Sequence, residues 1–348
     1  MQKERQSEYE LLRIVAQVMI VYYHIMLFVI YPLSDVALYK AIWLPLHTGV
    51  PLFIFISGYF GIKPSVKGFI KLIGMVFVLQ LSQVIVNLQT CQWGGVKTVA
   101  EGLFFISRSP FWFIRTYIYL YLLSPIINKF LLGISFQERL FLFVVLFFIS
   151  DYIGTIGTDK SLSEGYNIIT FFLFYTVGDS IREYKSKWSV ISKRTWLLLF
   201  LIVNVSLIVF FSLVGFTNSY INHAYNLLFF GYNSPGLLLS SILLFLFFGC
   251  VELKSKMINS MAKSSLAIYI LHLSFLPVVI KPTVEWVYNY NGNLFLVVMN
   301  TLLLTIAVVV VCMCIYLILT PIWKLLDRIA TGTQILINKK VNQLLNRT

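Results

Sequence analysis

The sequence predicts an all-α integral membrane protein with about ten transmembrane helices and both termini in the cytoplasm. The first observation behind this class is composition, since 59% of the 348 residues are hydrophobic and only 12% are charged. The mean hydropathy of +0.84 is typical of a polytopic membrane protein and not of a soluble domain. The second observation is the pattern, in which long apolar stretches alternate with short polar connections that carry most of the basic residues.

The apolar stretches define the predicted spans. They cover residues 10–31, 46–62, 69–89, 111–131, 139–154, 166–181, 195–215, 234–252, 264–281 and 294–322. The fifth and sixth are short for the roughly 20 residues that a helix needs to cross a bilayer. An apolar segment before the eighth span, Tyr225–Tyr232, is too short to cross, so we expect it to be interfacial or re-entrant.

The distribution of positive charge predicts the topology. With the amino terminus inside, all but six of the 27 Lys and Arg side chains fall on the cytoplasmic side, as the positive-inside rule requires. The net charge of +13 is therefore explained by topology. No basic platform interleaved with aromatic residues is present, so a nucleic acid partner is not expected.

The chain divides into two predicted parts. Residues 1–323 form the polytopic membrane domain, and residues 324–348 form a basic, amphipathic cytoplasmic tail that lies on the membrane surface. Cys312 and Cys314 are two positions apart, which places them about 200° apart around a helix and prevents them from holding one metal ion together. No metal site is predicted.

The first span, Tyr9–Tyr31, carries unusual polar residues for a membrane helix. Arg13 and His24 are eleven positions apart, so they share one helix face about 16 Å apart, with Gln17 on the same stripe. Ionisable groups are costly inside a bilayer and usually face a protein interior or a wet cavity. The alternatives are an Arg13 that extends to the lipid headgroups and a His24 that only bonds to a neighbouring helix.

These side chains suggest a site for a phosphorylated ligand that enters from the cytoplasm. The guanidinium of Arg13 can hold a phosphate or diphosphate, with Gln17 beside it and Lys71 as a second cation. The imidazole of His24, deep in the span, can act as a general base towards a hydroxyl or take an acyl group itself. For Lys71, a role in topology alone is the alternative.

Further candidates lie in the fourth and ninth spans. Trp112, Arg115 and Tyr117 open the fourth span, where aromatic faces beside an Arg suit stacking on a sugar or holding a lipid diphosphate. An interfacial aromatic belt is the alternative. His272 lies near the middle of the ninth span on a polar stripe, which fits either substrate binding or polar packing between helices.

The second span combines small residues with large apolar ones. Gly49 and Gly58 stand among Phe and Ile side chains, and small residues allow close approach between helices. His47, at the outer end of this span, reads as an interfacial polar residue.

Four stretches resemble the membrane acyltransferase-3 family, the ten-span enzymes that O-acylate bacterial surface carbohydrates. They are LLRIVAQVMIVYYH, with ten residues between Arg13 and His24, then PLFIFISGYF followed by a basic loop, WFIRTYIYLYLLSPIIN and SSLAIYILHLSF. The resemblance implies acyl-CoA, usually acetyl-CoA, as cytoplasmic donor, and matches Arg13 and His24 to the family's essential pair. Ile14 and Val15 stand where the family usually has a basic residue and a glycine.

We therefore expect an integral-membrane O-acyltransferase, specifically an O-acetyltransferase, of the bacterial cytoplasmic membrane. It would transfer an acyl group from acyl-CoA to a hydroxyl of a cell-envelope polysaccharide (capsule or exopolysaccharide) or of its lipid-linked precursor. Some family members carry a soluble esterase-like domain after the membrane part; here we expect direct transfer. The alternative is a transporter or flippase of a lipid-linked saccharide, in which Arg13 and Arg115 guide the diphosphate and His24 relays protons.

Overall fold

The computed structural model describes residues 5–29, 44–89, 104, 111–154, 161–214, 231–289 and 293–345. These residues are almost entirely helical, and no β-strand occurs among them. A helix lies at each of the ten predicted span positions. Residues 225–230 of the predicted interfacial segment, and most of the connection 90–110, fall outside the described residues.

Helix boundaries follow the predicted spans to within a few residues. The helices are α1 (Ser7–Val29), α2 (Gly49–Phe60), α3 (Val66–Gln89), α4 (Trp112–Gly133), α5 (Phe136–Phe147), α6 (Ile168–Glu183), α7 (Lys185–Trp188), α8 (Lys193–Val214), α9 (Pro235–Gly249), α10 (Lys256–Met261), α11 (Ser265–Asn289), α12 (Leu294–Ile318) and α13 (Thr320–Leu345). Short 3₁₀ turns cover Leu44–Thr48, Ser163–Gly165 and Ala262–Ser264, and a π-helical segment, Phe148–Ile153, extends α5.

Among the described residues, three stretches are long and apolar enough to cross a membrane by length and composition. They are Ser7–Leu27, Lys193–Phe210 and Phe295–Ile318, and two shorter apolar helices cover Pro45–Phe60 and Pro235–Gly249. The predicted all-α membrane class is confirmed. The count of ten crossings and the cytoplasmic termini stay predictions.

Helix α1 lies at the centre of the bundle, where it packs against α2, α9, α10, α11 and α12. Its first half contributes Leu12 to one apolar core, and its second half contributes Val21 to another. Arg13 and His24 therefore both belong to an interior helix. The surroundings of each are set by several neighbouring helices.

Helices α2 and α6 cross at two glycines. A Cβ atom on Gly58 would overlap the carbonyl oxygen of Tyr175, and one on Gly178 would overlap that of Phe55. Gly49 makes a similar close approach to the α1 backbone. The prediction that the small residues of this span allow close helix packing is confirmed for Gly49 and Gly58.

A buried ion pair fixes α6 against α5. Arg139 Nη1 donates to Asp179 Oδ2 at 2.6 Å, Arg139 Nη2 donates to the Leu131 carbonyl at 2.5 Å, and Arg182 pairs with the other carboxylate oxygen. The side chains of Arg139 and Asp179 are each only 7% exposed. Removing one partner of such a pair typically costs about 3–5 kcal/mol. The sequence assigned Arg139 to topology alone, because its partner lies forty residues away.

Helix α4 continues through an internal proline. Pro125 has no N–H to donate to the carbonyl of Tyr121, and the hydroxyl of Ser124 donates to that oxygen instead, at 2.7 Å. Asn128, one turn later, donates to the carbonyl of Ile62 at 2.7 Å. The helix is thus tied to the segment that follows α2.

The described part of the predicted tail, residues 324–345, lies within α13. This helix crosses the predicted boundary at residue 323 and packs against α3. Lys71 Nζ donates to Asp327 Oδ1 at 2.7 Å, and the Lys67 backbone N–H donates to Gln334 Oε1 at 3.0 Å. Hydrogen bonds from Lys71 and Lys67 hold the pKa of the Asp327 carboxyl below its usual range. The tail is therefore held on the surface of the bundle beside the start of α3.

Candidate functional site

A cavity of about 610 Å³ opens among α1, α2, α3, α4 and α11. We call it the cationic cavity because four basic side chains line it: Arg5, Arg13, Lys71 and Lys263. A smaller cavity of about 370 Å³ shares two of these residues and adds Lys63. All these groups, apart from Arg13, come from segments predicted to be cytoplasmic, so the structure brings them together at one end of the bundle.

A single carboxylate organises the arginines. Glu10, which is 8% exposed, accepts from Arg13 Nη1 at 3.0 Å through Oε2 and from Arg5 Nη1 at 3.2 Å through Oε1. A guanidinium has five N–H donors in a rigid fork, so one contact to Glu10 fixes each arginine without using all its donors. Both guanidinium groups also line the cavity, where further N–H donors can bind the oxygen atoms of an anion.

Lys71 stands between the cavity and the tail helix. It lines the cationic cavity and also pairs with Asp327; its role in binding phosphates stays a prediction. The sequence missed Arg5 and Lys263, because basic residues in short connections satisfy the positive-inside rule without any further role.

The inner wall of the cavity is polar on one side and aromatic on the other. The Gln17 amide, which is 1% exposed, donates to the Ser265 carbonyl and accepts from the Tyr269 N–H when its oxygen and nitrogen are oriented to satisfy both, each at 3.3 Å. Tyr117 lies on the wall with Tyr269. The predicted residues Gln17 and Tyr117 both line the cavity, and Gln17 also ties α1 to α11.

His24 follows one turn beyond Ile20, a residue of the cavity lining. Its Nδ1 lies 2.9 Å from the Ile20 carbonyl oxygen and 3.2 Å from Nε2 of His272, which has Nδ1 2.9 Å from the Ile268 carbonyl oxygen. A carbonyl can only accept, so each Nδ1 carries a proton. His272 Nε2 then accepts from His24 Nδ1–H, and the lone pair of His24 is on Nε2.

This contact fixes the orientation of the His24 ring. His272 is fully buried and His24 is half-buried, so the more accessible imidazole is the one whose Nε2 has the lone pair. The polar stripe of α11 predicted at His272 thus faces α1. Sequence reasoning placed His272 among the substrate-binding residues, which stays a prediction; in the structure its Nε2 lies 3.2 Å from Nδ1 of His24.

Aromatic rings gather at the His24 end of the bundle. Trp112 lies with its ring centroid 4.4 Å from that of Tyr166 and 5.3 Å from that of Tyr232, and the two tyrosine rings are 5.5 Å apart. Tyr166 is exposed, whereas Tyr232 is buried. The ring of Trp112 packs against neighbouring rings inside the fold.

The rings continue inward to His24. His47 lies 5.8 Å from Tyr232 and 4.3 Å from Tyr23, and Tyr23 lies 5.4 Å from His24. We call Trp112, Tyr166, Tyr232, His47 and Tyr23 the aromatic cluster. The sequence had read His47 as an interfacial residue; the structure buries it in this cluster.

One acidic residue borders the cluster in an unusual backbone conformation. Glu164 has a φ of 58°, a left-handed conformation that costs roughly 1–2 kcal/mol for a residue with a Cβ. The N–H of Tyr232 donates to its carbonyl at 3.0 Å. Its carboxylate is near enough to act electrostatically on the hydroxyls of Tyr23, Tyr166 and Tyr232.

Arg115 is partly buried on α4, about one turn after Trp112, and it does not line the cationic cavity.

Within the described part of the chain, no group of three or more His, Cys, Asp or Glu side chains is placed to hold a metal ion.

Glu164 and Tyr166 were missed by sequence reasoning because they lie at and just after a short turn between two spans, where turn residues are common. The signal available there was a tyrosine after Glu164-Gly165, which by itself indicates only a turn.

The comparisons with known proteins agree with this arrangement. A family model described as an acyltransferase domain, that of the acyltransferase-3 family, matches residues 6–317. This range includes the aromatic cluster and every residue that lines the cationic cavity except Arg5. No curated protein and no solved structure gives a significant match to the chain. The chain is therefore a membrane acyltransferase and belongs to the acyltransferase-3 family.

Proposed function

We propose that the protein is an O-acyltransferase of the bacterial cytoplasmic membrane that transfers an acetyl group from acetyl-CoA, or a related acyl group from its acyl-CoA, to a hydroxyl of a cell-envelope polysaccharide or of its lipid-linked precursor. The observation that carries the proposal is the order of groups along α1. A cavity with four basic side chains begins at Arg5 and Arg13 and extends to Ile20, and His24 follows one turn later.

The cationic cavity suits the phosphate groups of a coenzyme A thioester. Arg5 and Arg13 are oriented by Glu10, and Lys71 and Lys263 line the same space. Charge-assisted hydrogen bonds from arginine to phosphate are among the strongest in proteins. We expect these four side chains to hold the phosphates, with both termini of the chain on the cytoplasmic side where the donor is present.

The rest of the cavity suits the thioester arm. Its wall past Arg13 is formed by Gln17, Tyr117 and Tyr269 and ends at Ile20. The distance from Arg13 to His24 along α1 is about 16 Å. A ligand anchored at Arg13 must therefore extend along the helix to bring its reactive end to the imidazole.

His24 is the proposed general base. The thioester of a bound acyl-CoA supplies the acyl group, and its thiol is the leaving group. His24 Nε2 accepts the proton of the acceptor hydroxyl while the hydroxyl oxygen bonds to the acyl carbon and the carbon–sulfur bond breaks. The imidazolium then gives this proton to the departing sulfur, so His24 ends in its starting state.

The first test compares the purified protein with its His24→Ala variant in detergent, using radiolabelled acetyl-CoA and glycan from the cell envelope. We expect the wild type to release CoA and to label the glycan, and the variant to lose roughly 10²–10⁴-fold in rate. Thr305→Val is a suitable control, because it changes another buried polar side chain in the neighbouring helix α12 without touching the site.

Two results would contradict the proposal in different ways. If the His24→Ala variant transferred the acyl group at the wild-type rate, His24 would be rejected as the base. A wild type that does not consume acetyl-CoA but binds and moves a lipid-linked saccharide would instead identify a transporter, in which Arg13 and Arg115 guide the diphosphate.

A further inference from the structure

We infer that the aromatic cluster and Glu164 form the binding site for one neutral sugar ring of the acceptor, at the opposite end of α1 from the cationic cavity. The inference rests on the proposed function, since it assigns the acceptor of that reaction to a particular surface. It adds Tyr166, Tyr232, His47 and Glu164 to the residues that contact the acceptor.

The first step is the direction in which the rings face. In an interfacial belt, Trp and Tyr side chains extend towards the lipid headgroups. Here Tyr232 and His47 are 8% and 6% exposed, and Trp112 packs against two tyrosine rings within 5.3 Å. The rings pack against one another, mostly tilted or edge-on, and lead from the exposed Tyr166 to His24, so a belt does not explain them.

The second step is the chemistry that such a surface offers. The faces of Trp and Tyr rings are apolar and rigid, and their N–H and O–H groups form hydrogen bonds at the ring edge. A sugar ring has the same two properties, with apolar C–H faces and hydroxyls around its edge. Pockets that combine aromatic walls with a few placed polar groups are typical binding sites for small organic groups.

The third step is the sign of the charge. The Glu164 carboxylate acts on three tyrosine hydroxyls of the cluster and, when ionised, can only accept hydrogen bonds. It suits the hydroxyl of a sugar and repels a phosphate. The phosphates of a lipid carrier are therefore not expected at this surface, and the occupant is a neutral sugar ring.

The fourth step is the support of Glu164. Its left-handed backbone is held by the hydrogen bond from the Tyr232 N–H, and the adjacent Asn233 side chain donates to the Ser150 carbonyl at 2.6 Å. The turn that carries Glu164 is thereby tied to the segment that carries Tyr232. Strained backbone that is held by its surroundings is often found at binding sites.

The arrangement gives each substrate its own approach to His24. The acyl group comes from the side of Arg13 and Ile20, and the hydroxyl comes from the side of Tyr23. We therefore expect donor and acceptor to bind independently, with both present when transfer occurs.

The test uses Tyr166→Ala and Glu164→Gln in the full-length protein, because both side chains are exposed and their replacement leaves the core intact. The acceptor probe is the envelope glycan of a strain that lacks the gene, freed of O-acetyl groups by mild base. We expect each variant to raise the KM for this glycan about tenfold or more, with the KM for acetyl-CoA unchanged. Tyr152→Ala is the matched control, since Tyr152 is also exposed and stacked, on Phe148 at 4.9 Å, but lies outside the cluster.

Glycan KM values within twofold of wild type in both variants, or an equal loss in the control, would overturn the inference. So would a parallel rise in the KM for acetyl-CoA. Direct binding of the same glycan separates this inference from the proposed function. If the wild type transfers no acetyl group, the function fails, and weaker glycan binding by the two variants than by Tyr152→Ala still supports the sugar site.

Discussion

The two ends of α1 differ in charge and in packing. At the Arg13 end, four basic side chains surround a cavity of about 610 Å³. At the His24 end, five rings lie in mutual contact at centroid distances from 4.3 to 5.8 Å, and Glu164 is beside them. One helix thus offers two environments about 16 Å apart, one suited to an extended anion and the other to a neutral ring. On the proposed function, this difference would direct the donor and the acceptor to opposite ends of the helix.

After His24→Ala, loss of a guanidinium at the cationic end is expected to have the next largest effect. We predict that Arg13→Ala raises the KM for acetyl-CoA roughly 10–100-fold, because a hydrogen bond to a charged group is worth about 1.5–3 kcal/mol. The KM for the glycan should not change. Initial rates measured over a range of each substrate give both values.

Arg194→Ala serves as the control for Arg13, because Arg194 is exposed at the start of α8 and outside both cavities. If Arg13→Ala instead lowered kcat at unchanged KM for the donor, the assignment of phosphates to this end would be wrong.

Between the two ends, His272 is expected to act by positioning His24. We predict that His272→Leu lowers kcat about tenfold, since His24 Nδ1–H loses one of its two acceptors and the ring is less firmly held. His272→Gln should recover most of this rate, because its side-chain oxygen can accept the same hydrogen bond. Donor and glycan KM values should stay near wild type in both variants.

A role in packing alone makes a different forecast for His272. Leu and Gln would then both reduce thermal stability and activity together, and Gln, as the polar replacement in a buried position, would be no better than Leu. The ratio of the two kcat values at equal stability therefore decides between the roles.

At Glu164 we expect a smaller effect, and here the substitution should stabilise the protein. Glycine adopts left-handed backbone without a steric cost, so we predict that Glu164→Gly raises the free energy of unfolding by roughly 0.5–1 kcal/mol. The same change should weaken glycan binding. Thermal unfolding in detergent measures the first, and the glycan KM measures the second.

Glu164→Gln separates the two consequences at this position. It removes the charge but keeps the side chain and its backbone cost, so it should weaken glycan binding without added stability. A Gly variant that is less stable than the Gln variant would show that the left-handed conformation costs nothing here.

The smallest effect is expected at the contact between α3 and α13. Asp327→Asn should lower the KM for acetyl-CoA about two- to fivefold, because Lys71 would no longer pair with a carboxylate and ion pairs between exposed side chains are weak. Lys340→Ala, on an exposed part of the same helix, should leave the value unchanged. An unaltered KM in Asp327→Asn would mean that Lys71 does not contact the donor.

The same contact should depend on pH. The lysines hold the pKa of Asp327 below its ordinary value of 3.8. The stability that this carboxylate contributes is therefore fully present above pH 3.8 and is lost as the pH falls through the lower pKa of the folded state. Hydrogen exchange of the α13 amides should therefore speed up only below that pH in the wild type, and Asp327→Asn should show no such step.

Periodicity in the sequence was sufficient to predict the helices and the shared stripe of Arg13, Gln17 and His24, because both depend only on the geometry of one helix. It was not sufficient to pair helices. His24 and His272 are 248 positions apart, and their contact depends on how α1 packs against α11. The ion pair of Arg139 with Asp179 was missed for the same reason.

The aromatic cluster illustrates a second limit. Trp112 was predicted to contact a sugar because it stands beside other aromatic residues in its own span. Tyr166 and Tyr232 come from two other segments, and each is unremarkable where it stands in the sequence. A site assembled from the ends of several helices becomes visible only when the helices are packed.

The uninterrupted helix between Arg13 and His24 fixes the distance between the residue proposed to hold the donor phosphates and the proposed base. A loop between the two residues would let their separation vary, whereas eleven helical steps fix it at about 16 Å and fix the relative direction of the side chains. Inserting one residue between them would turn His24 by about 100° around the helix axis, away from His272 and from Tyr23. If the proposed donor binds along α1, we therefore expect the residue spacing of this one helix to set the length of donor that is accepted.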